Sequence, residues 1–145
     1  MRTIKFRGKR VDKDEFVFGD LLTGMGYKKG KFYILPHLTH YPSDCNSLDG
    51  YEVETETVGQ FTGLYDKNGK EIYEGDIVDA WSAGGHLPNG IIKWGEGIAG
   101  FFIMPPKCNA VWHLVGDNEN KETLEIIGNI HDNPELLKGG NHGPK

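Results

Sequence analysis

Apolar positions along this chain come in short runs, alternating with polar ones or continuous over a few residues, and glycine-containing turns separate them. No long window carries apolar residues at i, i+3, i+4 and i+7, the spacing that would line one face of a helix. The pattern predicts eleven strands, over residues 3–11, 16–22, 31–38, 51–55, 58–64, 71–73, 77–81, 91–94, 101–104, 111–115 and 125–130. Strands this short and this numerous predict a mainly β fold, either a barrel or a sandwich. One short helix is expected near the end, where Asn133 can cap, Pro134 fits the first helical position and Glu135, Leu136 and Leu137 form a turn before Gly139 and Gly140. Residues 139–145 hold three glycines and a proline, so a disordered tail is expected there.

The strongest local signal is Gln60-Phe-Thr-Gly-Leu-Tyr-Asp-Lys-Asn-Gly-Lys-Glu-Ile-Tyr73, two β-rich runs around Asp66-Lys67-Asn68-Gly69. Asp66 suits the first position of a type I turn and Gly69 the left-handed position that follows it; a two-residue type I′ turn at Asn68-Gly69 competes with that assignment. Either turn pins the hairpin register. Glu74-Gly75-Asp76 then leads into Ile77-Val-Asp-Ala-Trp81, a glycine-rich loop over 82–90, and Ile91-Ile-Lys-Trp94. Strand, tight turn, strand, loop and strand in this order predict a small SH3-like barrel in the C-terminal part, packed with N-terminal antiparallel strands. The expected division is an N-terminal β subdomain over 1–56, a barrel domain with its short helix over 57–138, and the tail over 139–145. Phe61, Leu64, Ile72, Ile77 and Val78 are expected to be mostly buried between barrel and N-terminal strands. A binding surface would then use residues 82–90, 95–100 and the basic N-terminal face.

Length narrows this picture, because 145 residues build one domain or two small β-modules and exclude a catalytic α/β barrel. Apolar residues at 37% against 26% charged predict a folded chain. No apolar run approaches the roughly 20 residues of a membrane span, and the opening Met1-Arg-Thr-Ile-Lys-Phe-Arg has no signal-peptide core, so a cytoplasmic protein without membrane contact is expected. Cys45 and Cys108 are too few and too far apart for a disulfide framework or a zinc ribbon.

Charge is distributed unevenly. Residues 1–31 hold nine of the sixteen Lys and Arg and four acids, a net of +5; with the whole chain at −5, the remainder carries −10. In 3–11 the residues Lys5, Arg7 and Lys9 alternate with Ile4, Phe6 and Gly8, so a half-buried strand would present a basic ladder to solvent. With Arg10, that ladder could track the phosphates of a single-stranded nucleic acid, using Phe32, Tyr33, Tyr27 and Tyr41 as stacking surfaces. The competing reading pairs it with the acidic strand that carries Glu52, Glu54 and Glu56, or leaves it solvated.

Other constellations are weaker. His37 and His40, with Asp44 and Cys45, supply zinc-type ligands, but their spacing puts the two imidazoles on opposite faces of a strand. Ser43, Ser47 and Ser82 lie in no nucleophile elbow. The run Gly24-Met-Gly-Tyr-Lys-Lys-Gly-Lys31 lacks the ending of a phosphate loop and reads as a hairpin connection. Glu74 and Asp76 are expected to accept turn amides rather than a cation. Trp81, Trp94, Trp112, Phe101 and Phe102 read mostly as core, with Trp94 and His86 as the residues of a possible ligand groove.

The run Thr57-Val-Gly-Gln-Phe-Thr-Gly-Leu-Tyr-Asp-Lys-Asn-Gly-Lys-Glu-Ile-Tyr-Glu-Gly-Asp-Ile-Val78 resembles the signature of the YopX family of phage- and prophage-encoded proteins. Ile4-Lys-Phe-Arg-Gly-Lys-Arg10, Phe18-Gly-Asp-Leu-Leu22 and Glu125-Ile-Ile-Gly-Asn-Ile-His-Asp-Asn-Pro-Glu-Leu-Leu137 extend the likeness to both ends. The resemblance implies a mostly β protein with a C-terminal SH3-like barrel, and it brings no catalytic residue with it. The resulting expectation is a non-enzymatic accessory protein that needs no cofactor or metal and binds a protein partner or itself. The alternative is a single-stranded nucleic-acid binder using Lys5, Arg7, Lys9 and Arg10; a third reading is a metal-dependent hydrolase at His37, His40 and Cys45.

Overall fold

The computed structural model describes residues 1–23, 30–37, 50–82, 84–107, 111–114 and 124–138. Among these the chain is mainly β, its strands pair antiparallel, and it forms two compact units, Met1–Phe61 and Thr62–Lys145. No helix among the described residues is long and apolar enough to cross a membrane. The tail over 139–145, Cys45 and Cys108 lie outside the described residues.

The first unit is built from β1 (Phe6–Lys9), β2 (Phe16–Thr23), β3 (Phe32–Pro36), β4 (Tyr51–Val53) and the start of β5 (Gly59–Tyr65), in the order β4-β3-β2-β1-β5. The sheet curls until β4, already paired with β3, also reaches the end of β1. There the Glu54 N–H donates to the Lys9 carbonyl at 2.8 Å, the Val11 N–H donates to the Glu52 carbonyl at 3.1 Å, and Arg10 bridges Val53. Glycine makes the curl possible at two points. A side chain on Gly8 would meet Val53, and one on Gly50 would run into the Ile34 carbonyl. Tyr33, Ile34, Val53 and Phe61 are buried.

The second unit holds the end of β5, then β6 (Glu71–Tyr73), β7 (Asp76–Ser82), β8 (Gly85–His86), β9 (Gly90–Gly95), β10 (Gly100–Met104), β11 (Trp112–His113) and β12 (Leu124–Asn129). Its sheet runs β11-β10-β9-β7-β12, with β8 folded against the end of β7. Ile72, Val78, Ala80, Ile92, Ile103 and Leu124 form its core, and Leu64 packs against them from a half-buried position. Each large aliphatic side chain removed from water there contributes roughly 1.5–3 kcal/mol. Phe61, Ile72, Ile77 and Val78 are buried as their pattern predicts.

The β5–β6 turn is the type I turn with a glycine bulge. The Gly69 N–H donates to the Asp66 carbonyl at 3.0 Å, Gly69 has φ 79°, and Ala99 is the one described non-glycine with positive φ, which rules out type I′ at Asn68. Asp66 is 1% exposed. Its Oδ1 accepts the N–H groups of Asn68 and Lys70, each at 2.9 Å, and its Oδ2 accepts that of Ile126 at 3.0 Å. The Lys67 N–H donates to the Leu124 carbonyl at 2.9 Å, so the turn is fastened to β12. Beside it the Lys67 ammonium meets Glu125 at 2.6 Å, a partner that holds the Lys67 pKa above its ordinary value.

Two sequence expectations need correction. The strand pattern misses β8, because two residues are too short to show a period. The expected helix is a single 3-10 turn, Pro134–Leu137, and Asn133 does not cap it. The Asn133 Oδ1 instead accepts the Asn129 N–H at 3.3 Å, above the position where any side chain on Gly128 would collide with it.

Gly69→Ala meets open space and costs only the left-handed strain, about 1 kcal/mol in urea denaturation, whereas Gly50→Ala must also displace the β3 backbone and costs more. Asp66→Ala strands three N–H donors and lowers stability by about 3 kcal/mol, while Asp66→Asn, which keeps one acceptor oxygen, loses roughly half as much.

Candidate functional site

The basic strand does not form an exposed ladder. β1 lies inside the sheet between β2 and β5, and the register places Arg7 opposite Phe18 and Lys9 opposite Phe16. Directly opposed residues share a face, so the cations lie over aromatic rings rather than in water. The Arg7 guanidinium is 4.5 Å from the Phe16 centroid, and Arg7 is only 7% exposed. The Lys9 ammonium lies 5.5 Å from the same ring and pairs with Asp14.

Arg10 is the most enclosed cation. Its Nε donates to Asp12 Oδ1 at 2.8 Å and its Nη2 to Asp12 Oδ2 at 2.7 Å, a two-pronged match between guanidinium and carboxylate; Nη1 adds Glu15 at 3.2 Å. The Tyr51 ring covers it at 4.2 Å. The acids of the β1–β2 turn therefore neutralise much of the strand. The acidic strand contributes the Lys31–Glu52 pair at 3.5 Å.

Lys5 has a different position. It lines an open cleft of about 380 Å³ with Phe16, Val17, Phe18, Pro36, His37 and Tyr51, all in the first unit. The His37 Nε2 is 2.7 Å from Asp20 Oδ1, which fixes the imidazole at the cleft wall. Phe18 is 44% exposed. The rings available to this strand are thus Phe16, Phe18 and Tyr51, with Phe61 5.5 Å from the Lys5 ammonium. Of the stacking residues read from the sequence, Tyr33 is buried, Phe32 is half-buried, and Tyr27 and Tyr41 lie outside the described residues. The β1–β2 turn carried the missed signal: pairing strands across residues 10–15 brings Phe16 and Phe18 beside the basic residues.

The second unit does not bring His86 and Trp94 together. β8 meets β7 through Trp81 and His86, whereas β9 pairs with β7 through Ile77 and Ile91 and then runs away past the opposite end. His86 stacks on Trp81 with centroids 4.4 Å apart and planes at 14°, and its Nε2 bonds to Asp79. Trp94 instead meets Phe101 edge-on at 5.0 Å. Asp76 accepts the Tyr73 N–H at 2.8 Å, the turn role expected of it. Among the described residues no three His, Cys, Asp or Glu side chains are placed to hold a metal; His40 and Cys45 lie outside them.

Arg10 holds the Asp12 carboxyl below its ordinary pKa of 3.8. A carboxyl lowered in the folded state contributes its stabilisation above the ordinary value and loses it as pH falls through the lowered one. In an NMR titration of the Asp12 carboxyl, Arg10→Lys is expected to move the midpoint up towards 3.8, because an ammonium cannot bridge both oxygens.

No curated protein matches the chain. The crystal structure of protein EF1440 from Enterococcus faecalis is similar to it, with a TM-score of 0.58 and 25% identity over 95% of this chain and 100% of that one. A family model described as YopX protein matches residues 5–138, nearly the whole length and with it both units' strands, and the chain therefore belongs to the YopX family.

Proposed function

We propose that this YopX protein is a non-enzymatic interaction module of a phage or integrated element, working in the host cytoplasm by holding a macromolecular partner or a second copy of itself. The observation that carries this reading is the exposure of large aromatic rings: Trp81 is 54% and Trp94 45% exposed. Such a side chain offers roughly 150–250 Å² of contact area at little cost in flexibility, and Trp is enriched at the centres of interfaces. The order β11-β10-β9-β7-β12, with its short hairpins, supports reading the second unit as a small SH3-like barrel, an architecture suited to presenting such rings on loops and strand ends.

Size-exclusion chromatography with light scattering, together with pull-down of tagged protein from phage-infected cells, tests the proposal. The expected result is a dimer or a retained partner that is lost in Trp81→Ala or Trp94→Ala, with the melting temperature nearly unchanged because both rings are exposed. A strict monomer that retains nothing would overturn it.

A further inference from the structure

We infer that Trp81 and Asp79 on the second unit form a binding site for a guanidinium, the head of an arginine side chain on a basic segment of a partner protein. This rests on the reading of the chain as a binding module and names the chemistry its partner must carry. The two residues lie two positions apart on β7, so they share one face of the strand. β8 brings His86 opposite Trp81, and β12 brings Glu125 opposite Asp79.

The indole is held on one side and open on the other. His86 stacks on Trp81 with centroids 4.4 Å apart and planes at 14°, yet Trp81 is still 54% exposed, which leaves its second face to solvent. The imidazole is itself fixed, because its Nε2 bonds to Asp79 Oδ1. Among the described residues that is the one hydrogen bond of the Asp79 carboxylate, and Oδ2 is left as an acceptor. An oriented indole beside a carboxylate suits a guanidinium in two ways. The flat cation lies on the ring, where Trp is the strongest of the aromatic partners, and its edge donates an N–H to Asp79. A lysine ammonium can meet the carboxylate but has no plane to lay on the indole.

The charge of this unit selects a cation. Thr62–Lys145 holds seven Lys and Arg against twelve Asp and Glu, a net of −5. At the site itself Lys67 pairs with Glu125 at 2.6 Å, so those two cancel and, with His86 unprotonated, Asp79 remains as the uncancelled charge. An acidic partner is repelled by this field, and so is a second copy of the chain, whose own net charge is −5. A basic segment that carries arginine satisfies the ring, the carboxylate and the field together.

Titration of the isotope-labelled full chain with the acetylated, amidated peptide Gly-Arg-Gly-Arg-Gly at low salt reads the site by NMR through the indole N–H signals of its three tryptophans, and calorimetry gives the affinities. The Trp81 signal is expected to move saturably while those of Trp94 and Trp112 stay, and rising salt should weaken the binding. Trp81→Ala and Asp79→Asn should each lower the affinity about tenfold, with melting temperatures near wild type, because Trp81 is exposed and Asn fills the space of Asp79. The lysine version of the peptide should bind about fivefold more weakly, and the citrulline version, flat but uncharged, should not bind measurably. Glu135→Gln removes a charge of the same sign from the turn at the end of the unit and should leave the affinity unchanged. A Trp81 signal that does not move at low salt overturns the inference. So does equal binding by the lysine or citrulline peptide, or wild-type affinity in folded Trp81→Ala or Asp79→Asn. A Trp81 signal that moves with protein concentration alone overturns it in favour of a second copy. If the peptide fails while Trp81→Ala still loses a retained partner or a dimer, the guanidinium assignment falls and the module reading stands, whereas a monomer that binds neither peptide nor partner overturns both.

Discussion

The Asp66 carboxylate is withdrawn from water, and its two oxygens accept N–H groups from its own turn and from Ile126, sixty positions further along the chain. A buried carboxylate without partners is strongly unfavourable, so the turn is stable only when β12 lies beside it. That requirement links local and long-range structure in the second unit. The turn sets the β5–β6 hairpin, the hairpin presents Leu64 and Ile72, and β12 brings Leu124 and Ile126 to the same core. Placing β12 also places β7, through the register Leu124 with Ala80 and Glu125 with Asp79.

The first unit uses a cation in the same way. Arg10 has a side chain only 3% exposed, and its partners come from two directions: Asp12 and Glu15 from the turn after β1, and Tyr51 from β4. Backbone bonds from residues 9 and 11 to residues 54 and 52 run alongside it. Satisfying the guanidinium and curling the sheet are thus one event. The positive charge of residues 1–31 serves this internal purpose, and within Met1–Phe61 it is matched by an equal number of acids.

Much of this was legible in the sequence, and the reason differs by element. The strands appear because alternation is a local property, and the β5–β6 turn appears because Asp66 and Gly69 have separate geometric roles. The Asp66 bond to Ile126 was not legible, since a turn carboxylate looks the same whether its second oxygen meets water or a distant strand. The burial of Arg7 and Arg10 was missed for a related reason. Alternating Lys and Arg normally mark a solvent face, and only the pairing of β1 on both edges, with rings opposite, makes that face an enclosed one. Of the candidate site, Lys5 was named in the sequence as part of the basic strand and lies just before β1, but its cleft was invisible because β1, β2, β3 and β4 each contribute to it or border it.

The two units therefore differ in where their aromatic residues are left. In the first, cations cover Phe16 and Tyr51, and acids balance them, since Met1–Phe61 holds nine Lys and Arg against nine Asp and Glu. In the second, Trp81 is stacked by His86 and Trp94 is met by Phe101 at the opposite end of β7, which leaves two separate aromatic surfaces on an acidic stretch of chain. A polyanion is repelled by the second environment, where seven Lys and Arg face twelve Asp and Glu, and finds no net charge to attract it in the first. A partner that meets Trp81 or Trp94 must therefore overcome that repulsion if it is itself acidic, and added salt, by screening it, favours such a contact rather than weakening it.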